Sequence, residues 1–275
     1  LTGAASQDQP RGGGAQARVT FLGTGTSHGV PMIGCRCAVC LSADSYDKRL
    51  RPSIYVDVPD RAKILIDTTP DLRQQALTHG IARVDAILFT HGHADHVLGL
   101  DEVRRFNHLQ GTPIPCYANG GTWDTLRRTF YYIFDGKPRV GGGVPQLEPH
   151  EIVGPLTIGG VCIRPVPLWH GPMPILGFRF GSFAYLTDCN RIADEGWPVV
   201  EGVETLVIDA LRDKPHSTHF TVSEALDVVA RIGPRRAYLT HMTHDLGHVA
   251  TNARLPAGVE LAYDGLVLDV CVDVE

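Results

Sequence analysis

"VDAILFTHGHADH", Val84–His96, runs from an apolar, strand-like stretch straight into four side chains that can bind a metal: His91, His93, Asp95 and His96. A straight strand cannot aim all four at one ion. On a turn leaving the strand they can split, His91 and His93 towards one position and Asp95 and His96 towards a second. Imidazole with carboxylate suits zinc, manganese or iron. One histidine alone reads as an ordinary satisfied side chain. Four such groups at the end of an apolar run read as a metal site.

The same arrangement recurs along the chain. His170 follows "VCIRPVPLW", Asp188 ends "FAYLTD" and His241 follows "RAYLT", each a ligand-type residue where a strand gives way to a loop. Asp67 ends "KILID" and reads as a carboxylate behind the ligands, orienting one of their imidazoles.

The other cluster is "GCRCAVC", Gly34–Cys40, where Cys35, Cys37 and Cys40 have the spacing of a metal clip. A closed structural zinc site takes four ligands, so a fourth has to come from elsewhere. The odd total of 7 cysteines argues against a secreted disulfide framework and for reduced or metal-bound thiols in a cytoplasmic protein.

The 275 residues are 43% hydrophobic and 20% charged, enough for a full soluble core. No apolar run is long enough to span a bilayer, so no membrane partner is expected. The net charge of −5 argues against a nucleic-acid partner, which calls for a basic footprint. Residues 1–17, small, polar and Gly-rich, read as a disordered leader or expression remnant, with one domain over 18–275. "DGKPRVGGGVP" (135–145) reads as a mobile surface loop.

Short β-rich runs bounded by turn residues predict strands over 18–24, 53–58, 63–67, 84–90, 114–118, 161–168, 175–180, 183–188, 205–210, 236–240 and 266–270. Helical spacing predicts helices over 71–80, 96–109, 120–134 and 221–233, the last opened by a Thr221/Glu224 capping box and closed at Gly233. The mixture implies an α/β chain, sheets covered by helices.

With its HxHxDH motif and the later His170, Asp188 and His241, the chain resembles the metallo-β-lactamase fold over roughly residues 18–270. That resemblance implies an αββα sandwich of two mixed sheets flanked by helices. It also implies two divalent ions at one edge, one held by His91, His93 and His170, the other by Asp95, His96 and His241, with Asp188 bridging. The opening "FLGTGTSHGVPMIGCRCAVC" is similar to the phosphodiesterase branch typified by the accessory phosphodiesterase of the carbon–phosphorus lyase pathway. In that branch the fourth clip ligand is a histidine three residues beyond the last catalytic one, here His244 in "THMTH". Cys35, Cys37, Cys40 and His244 would then bind one structural zinc and brace the loop of His241. By the same resemblance His219, in "HSTHFTVSEAL", matches a general acid or phosphate contact, with Asp95 and Asp188 as the catalytic carboxylates.

The function expected is metal-dependent hydrolysis of a small phosphodiester, linear or cyclic, with 5-phosphoribosyl 1,2-cyclic phosphate as one example. His28 in the Gly-rich loop and Arg104 beyond the metal motif are candidate substrate contacts. The alternatives are a tRNA 3′-processing type of endoribonuclease, a thioesterase or lactonase, a role related to quinone-cofactor biosynthesis, and a zinc-stabilised scaffold with a silent site. A symmetric homodimer is the base-rate expectation.

Overall fold

A computed structural model of the chain describes residues 13–137 and 143–275. Residues 1–12 of the expected leader, and 138–142 of the expected loop, lie outside them. Residues 13–17, expected within that leader, lie in a strand. They begin the first strand and pair with the end of the chain from Gly13↔Val274 to Ala17↔Val270. The reason lies in the alternation Ala17, Val19, Phe21, which carries one inward-facing row through the strand.

The strands are β1 (Gly13–Gly23), β2 (Ser53–Val58), β3 (Ala62–Ile66), β4 (Ala86–Leu88), β5 (Ile114–Ala118), β6 (Leu147–Glu151), β7 (Leu156–Ile158) and β8 (Val161–His170). They continue with β9 (Met173–Phe180), β10 (Phe183–Leu186), β11 (Arg191–Ile192), β12 (Thr205–Asp209), β13 (Arg236–Thr240), β14 (Val259–Leu261) and β15 (Val267–Val274). Hydrogen bonds link them in the order β14-β13-β12-β10-β9-β8-β15-β1-β2-β3-β4-β5-β6, with β7 and β11 on β8. The path folds into two layers at β8. Its start, Val161–Ile163, pairs with β7 and touches β15, and its remainder, Arg164–His170, pairs with β9.

Alternation then builds three cores. Val19, Phe21, Ile54, Val56, Ile64 and Ile66 of one sheet meet Phe178, Phe180, Tyr185 and Val207 of the other between the layers. The opposite faces bury against helices. Leu65, Ile87 and Phe89 pack with Val103, Phe106 and Trp123, while Leu186, Leu206 and Ile208 pack with Val222, Ala225 and Val228. Helix, sheet, sheet, helix is the expected sandwich. No helix among the described residues is long and apolar enough to cross a membrane.

The helix expected over 221–233 forms at Val222–Ile232 with its capping box complete: Thr221 Oγ1 accepts from Glu224 N, and Thr221 N donates to Glu224. The one expected over 96–109 is broken into Ala94–Val97, a 3-10 turn at Leu100–Glu102, and Val103–Gln110. Gly99 sits at the break, where a Cβ would come within 1.9 Å of the Thr69 carbonyl oxygen. The turn carrying His96 is thereby pressed against the end of β3, and His96 O accepts from Thr68 N.

Candidate metal centre

The parallel strands β3 and β4 in one sheet, and β10, β12 and β13 in the other, end at one edge of the sandwich. Asp67 follows β3, His91–His96 follow β4, Asp188 follows β10, and His241 follows β13, while Asp209 is the last residue of β12. Three of these leave their strands in the left-handed region: Asp67 at φ 64°, Asp188 at φ 60° and His241 at φ 61°. Non-glycine residues seldom adopt that conformation, and it turns each side chain off the strand direction into the edge.

Asp188 stands at the centre. Its carboxylate lies 3.0 Å from His91 Nε2, 3.0 Å from His96 Nε2, 3.1 Å from His170 Nδ1, 3.1 Å from His219 Nδ1 and 3.6 Å from His241 Nε2. Asp95 lies 3.5 Å from His96 Nε2 and 3.7 Å from His241 Nε2. His93 is exposed, but its ring packs edge-on to His91 at 4.6 Å and to His170 at 4.9 Å between centroids.

Many of these approaches are not hydrogen bonds. His91 Nε2, His96 Nε2, both ring nitrogens of His241 and Asp188 Oδ1 are buried without a hydrogen-bond partner. Unpaired buried polar atoms are costly. Several of them converging on one carboxylate is the arrangement of ligands that share ions. Donor atoms of Asp95, His96, Asp188 and His241 lie within 4.8 Å of one another, as do those of His91, His93 and Asp188. The residues therefore fit a pair of divalent ions. For His91 and Asp188 the electrostatics agree with ligand protonation states, whereas for His96 and His170 burial is outweighed by Asp67 and Asp95, and by Asp188, which raise them. Burial, with His96 nearby, pushes His91 down to about 4. Burial would raise Asp188, but His241 and His91 outweigh it and hold it well below the usual carboxylate range.

Buried partners fix the rings. Asp67 accepts from Thr90 N at 2.8 Å, from the Thr90 hydroxyl at 2.8 Å and from His96 Nδ1 at 2.7 Å, which leaves His96 Nε2 aimed at the site. His170 Nδ1 donates to the Asp188 carbonyl at 2.8 Å, leaving its Nε2 as the remaining ring nitrogen. His219 Nδ1 donates to Asp209 at 2.8 Å. Burial disfavours the ionised form of both partners, lowering His219 to about 4 and raising Asp209 well above its ordinary value.

Asp209 was absent from the residues singled out in the sequence. Its signal was the one that marked Asp67 and Asp188, an aspartate closing an apolar strand, here "TLVID". Donors of Asp188, Asp209, His219 and His241 also lie within 4.8 Å of one another, so this corner too could hold an ion.

The two candidate substrate contacts are not brought into the cluster. His28 is exposed on the loop whose Gly25 pairs with Met242, beside His241. Arg104 is ion-paired with Asp101 at 2.9 Å and lines a separate surface depression with Arg105 and His108.

The cysteine cluster does find a histidine. Cys35 Sγ lies 3.3 Å and Cys37 Sγ 3.2 Å from His244 Nδ1, and Cys35, Cys37, Cys40 and His244 form a group able to hold a metal. Hydrogen bonds from Cys40 N and His244 lower the Cys37 thiol to about 6, while burial raises Cys40 to about 11. The buried Arg49 donates to the carbonyls of Thr243 at 2.9 Å and Leu246 at 2.6 Å, gripping the loop on both sides of His244.

Residues 62–242 match the beta-lactamase superfamily domain. A crystal structure described as a new diphosphatase from the PhnP family superposes with TM-score 0.89 and 45% identity, covering 95% of this chain and 100% of that one. The octanoyltransferase of Porphyromonas gingivalis is 38% identical over 251 residues, 90% of this chain and 51% of that protein, so the chain spans about half its length. Coenzyme PQQ synthesis protein B of Methylobacterium radiotolerans is 30% identical over 229 residues, 70% of this chain and 72% of that protein.

Proposed function

The chain belongs to the beta-lactamase superfamily, as a metallo-β-lactamase-fold protein similar to the PhnP family, and from that premise we propose that it hydrolyses a phosphodiester. The broader statement, a metal-dependent hydrolase, rests on the family and the diphosphatase likeness. The observation that carries the finer one is Asp188, within 3.6 Å of ring nitrogens of His91, His96, His170, His219 and His241.

His91, His93 and His170 would hold one ion and Asp95, His96 and His241 the other, with Asp188 between them. Zinc, manganese and iron all suit this donor set. Such a pair supplies positive charge to a phosphoryl oxygen and lowers the pKa of a water. The chain's own part is positioning and proton transfer. Asp67 and the Asp188 carbonyl hold the imidazoles of His96 and His170 in the required tautomer. His219, its Nδ1–H tied to Asp209 and its pKa lowered by burial to about 4, has a bare Nε2, so it would first take up a proton there and then pass it to the departing alkoxide oxygen. Cys35, Cys37, Cys40 and His244 would close around a structural zinc and steady the loop of His241.

The test is turnover of bis(4-nitrophenyl) phosphate by metal-stripped protein reloaded separately with Mn²⁺ and Zn²⁺. Metal-dependent turnover that disappears in Asp188→Ala is the expected result. Two bound ions with no turnover under either metal would overturn the phosphodiesterase reading. 5-Phosphoribosyl 1,2-cyclic phosphate is a natural second substrate to try.

A further inference from the structure

Beside His91 and His93 opens a cavity of about 610 Å³. One wall comes from the β8–β9 hairpin. Trp169 stands opposite Pro174 and Pro167 opposite Leu176 in the strand register. Residues two apart on a strand share a face. These four side chains therefore form one continuous apolar platform, while Leu168 and Ile175 on the other face are buried in the sheet–helix core. The facing wall is the start of the Gly120–Thr129 helix, whose Asn119 and Thr125 are already engaged, Asn119 Oδ1 accepting from Thr122 N and Thr125 Oγ1 donating to the Gly121 carbonyl. Among the described residues no lysine or arginine lines the cavity, and the one carboxylate there is Glu195. Arg191, 5.0 Å from the Trp169 ring centroid, stacks on that ring without lining the cavity.

We infer that this cavity receives an uncharged, apolar ester arm of the substrate, alkyl or aryl, while the phosphoryl group sits at the histidine cluster. The inference rests on the phosphodiesterase reading for calling that arm an ester; the cavity's preference for apolar groups does not. Away from the histidine cluster, the walls offer a second phosphoryl group no lysine or arginine among the described residues, and Glu195 repels it. The cavity's volume falls in the range of small-ligand sites, and the gain grows with each methylene buried.

The test compares methyl and n-hexyl arms in two ways on the metal-loaded protein. Calorimetry measures binding of methyl and n-hexyl methylphosphonate, and kinetics measures kcat/KM for methyl and n-hexyl 4-nitrophenyl phosphate. The hexyl compound should be favoured by about tenfold or more in both. Trp169→Ala should bring the hexyl-to-methyl ratio close to one. Pro174→Asp, at an exposed position where folding is little at risk, should do the same. Equal affinities for the two phosphonates, or variants that depress methyl and hexyl compounds alike, would overturn the inference. Tighter hexyl phosphonate binding without turnover of either ester would support the cavity and sink the phosphodiesterase reading instead.

Discussion

Replacing Asp67 by alanine should cost metal affinity more than it costs the fold. The carboxylate is fully buried and accepts three hydrogen bonds, one of which sets which nitrogen of His96 faces the site. Losing such an orienting partner typically weakens metal binding about 10–100-fold. The orphaned Thr90 N–H adds a stability loss of about 1–3 kcal/mol. Competition with a chromophoric chelator reads the first effect and denaturant unfolding the second; unchanged chelator competition would refute the orienting role. Asp264 makes a separate prediction, away from the histidine cluster. It accepts from Thr24 Oγ1 and Leu50 N, and burial pushes its pKa up to about 7. The folded chain then binds a proton that the unfolded chain has released above about pH 4. Stability from this group is complete below about pH 4 and lost as pH rises through about 7. Asp264→Asn keeps an acceptor for Leu50 N, can donate from its amide to the Thr24 hydroxyl oxygen, and cannot titrate, so its Tm relative to wild type should rise between pH 5 and pH 8. A Tm difference that is flat with pH would exclude the shift.

Thr221→Ala tests an element and not a ligand. It removes the hydroxyl that caps Glu224 N and should lower stability by about 1 kcal/mol, measured by denaturant unfolding. Because Thr221 follows His219 by two residues, turnover at saturating metal should fall only if the cap also sets the direction of the proton donor. At this scale the sequence was legible where local chemistry spoke plainly. "TVSEALDVVARIG" announced its helix by cap, period and closing glycine, and "SIYVDV" its strand. It was silent where tertiary contact decides. β6, "LEPHE", is largely exposed and carries no apolar alternation; it is a strand because β5 offers an edge to pair with. The break at Gly99 depends on the Thr69 carbonyl across the gap, which no local pattern records. Asp209 carries the strand-end signal of Asp67 and Asp188, but its partner His219 is set by the fold alone.

Across the whole molecule, the cysteine cluster near one end of the chain and His244 near the other meet beside the catalytic edge. Cys37→Ser should release one metal equivalent, lower Tm, and reduce kcat through the loop of His241, with elemental analysis, thermal unfolding and diesterase kinetics as the readouts. Full kcat after loss of that one metal would show that the clip does not brace the site. The seven ligand-type residues of the cluster stood out in the sequence because His170, Asp188 and His241 come where strands end and the other four sit together on the turn after β4, and strand ends are what a sandwich of this kind gathers. The order in which they surround Asp188 was not, since it depends on how two sheets fold about β8.

The pairing of Gly13 with Val274 has a topological consequence. The two ends of the described chain lie on neighbouring strands, so the backbone is nearly a closed ring. Eleven residues of β1 then separate them from the loop beside His241, roughly 30 Å of extended chain. A link between residues 13 and 274 would therefore lie at the rim opposite the histidines, and the ring could be sealed there and reopened elsewhere without threading past the site.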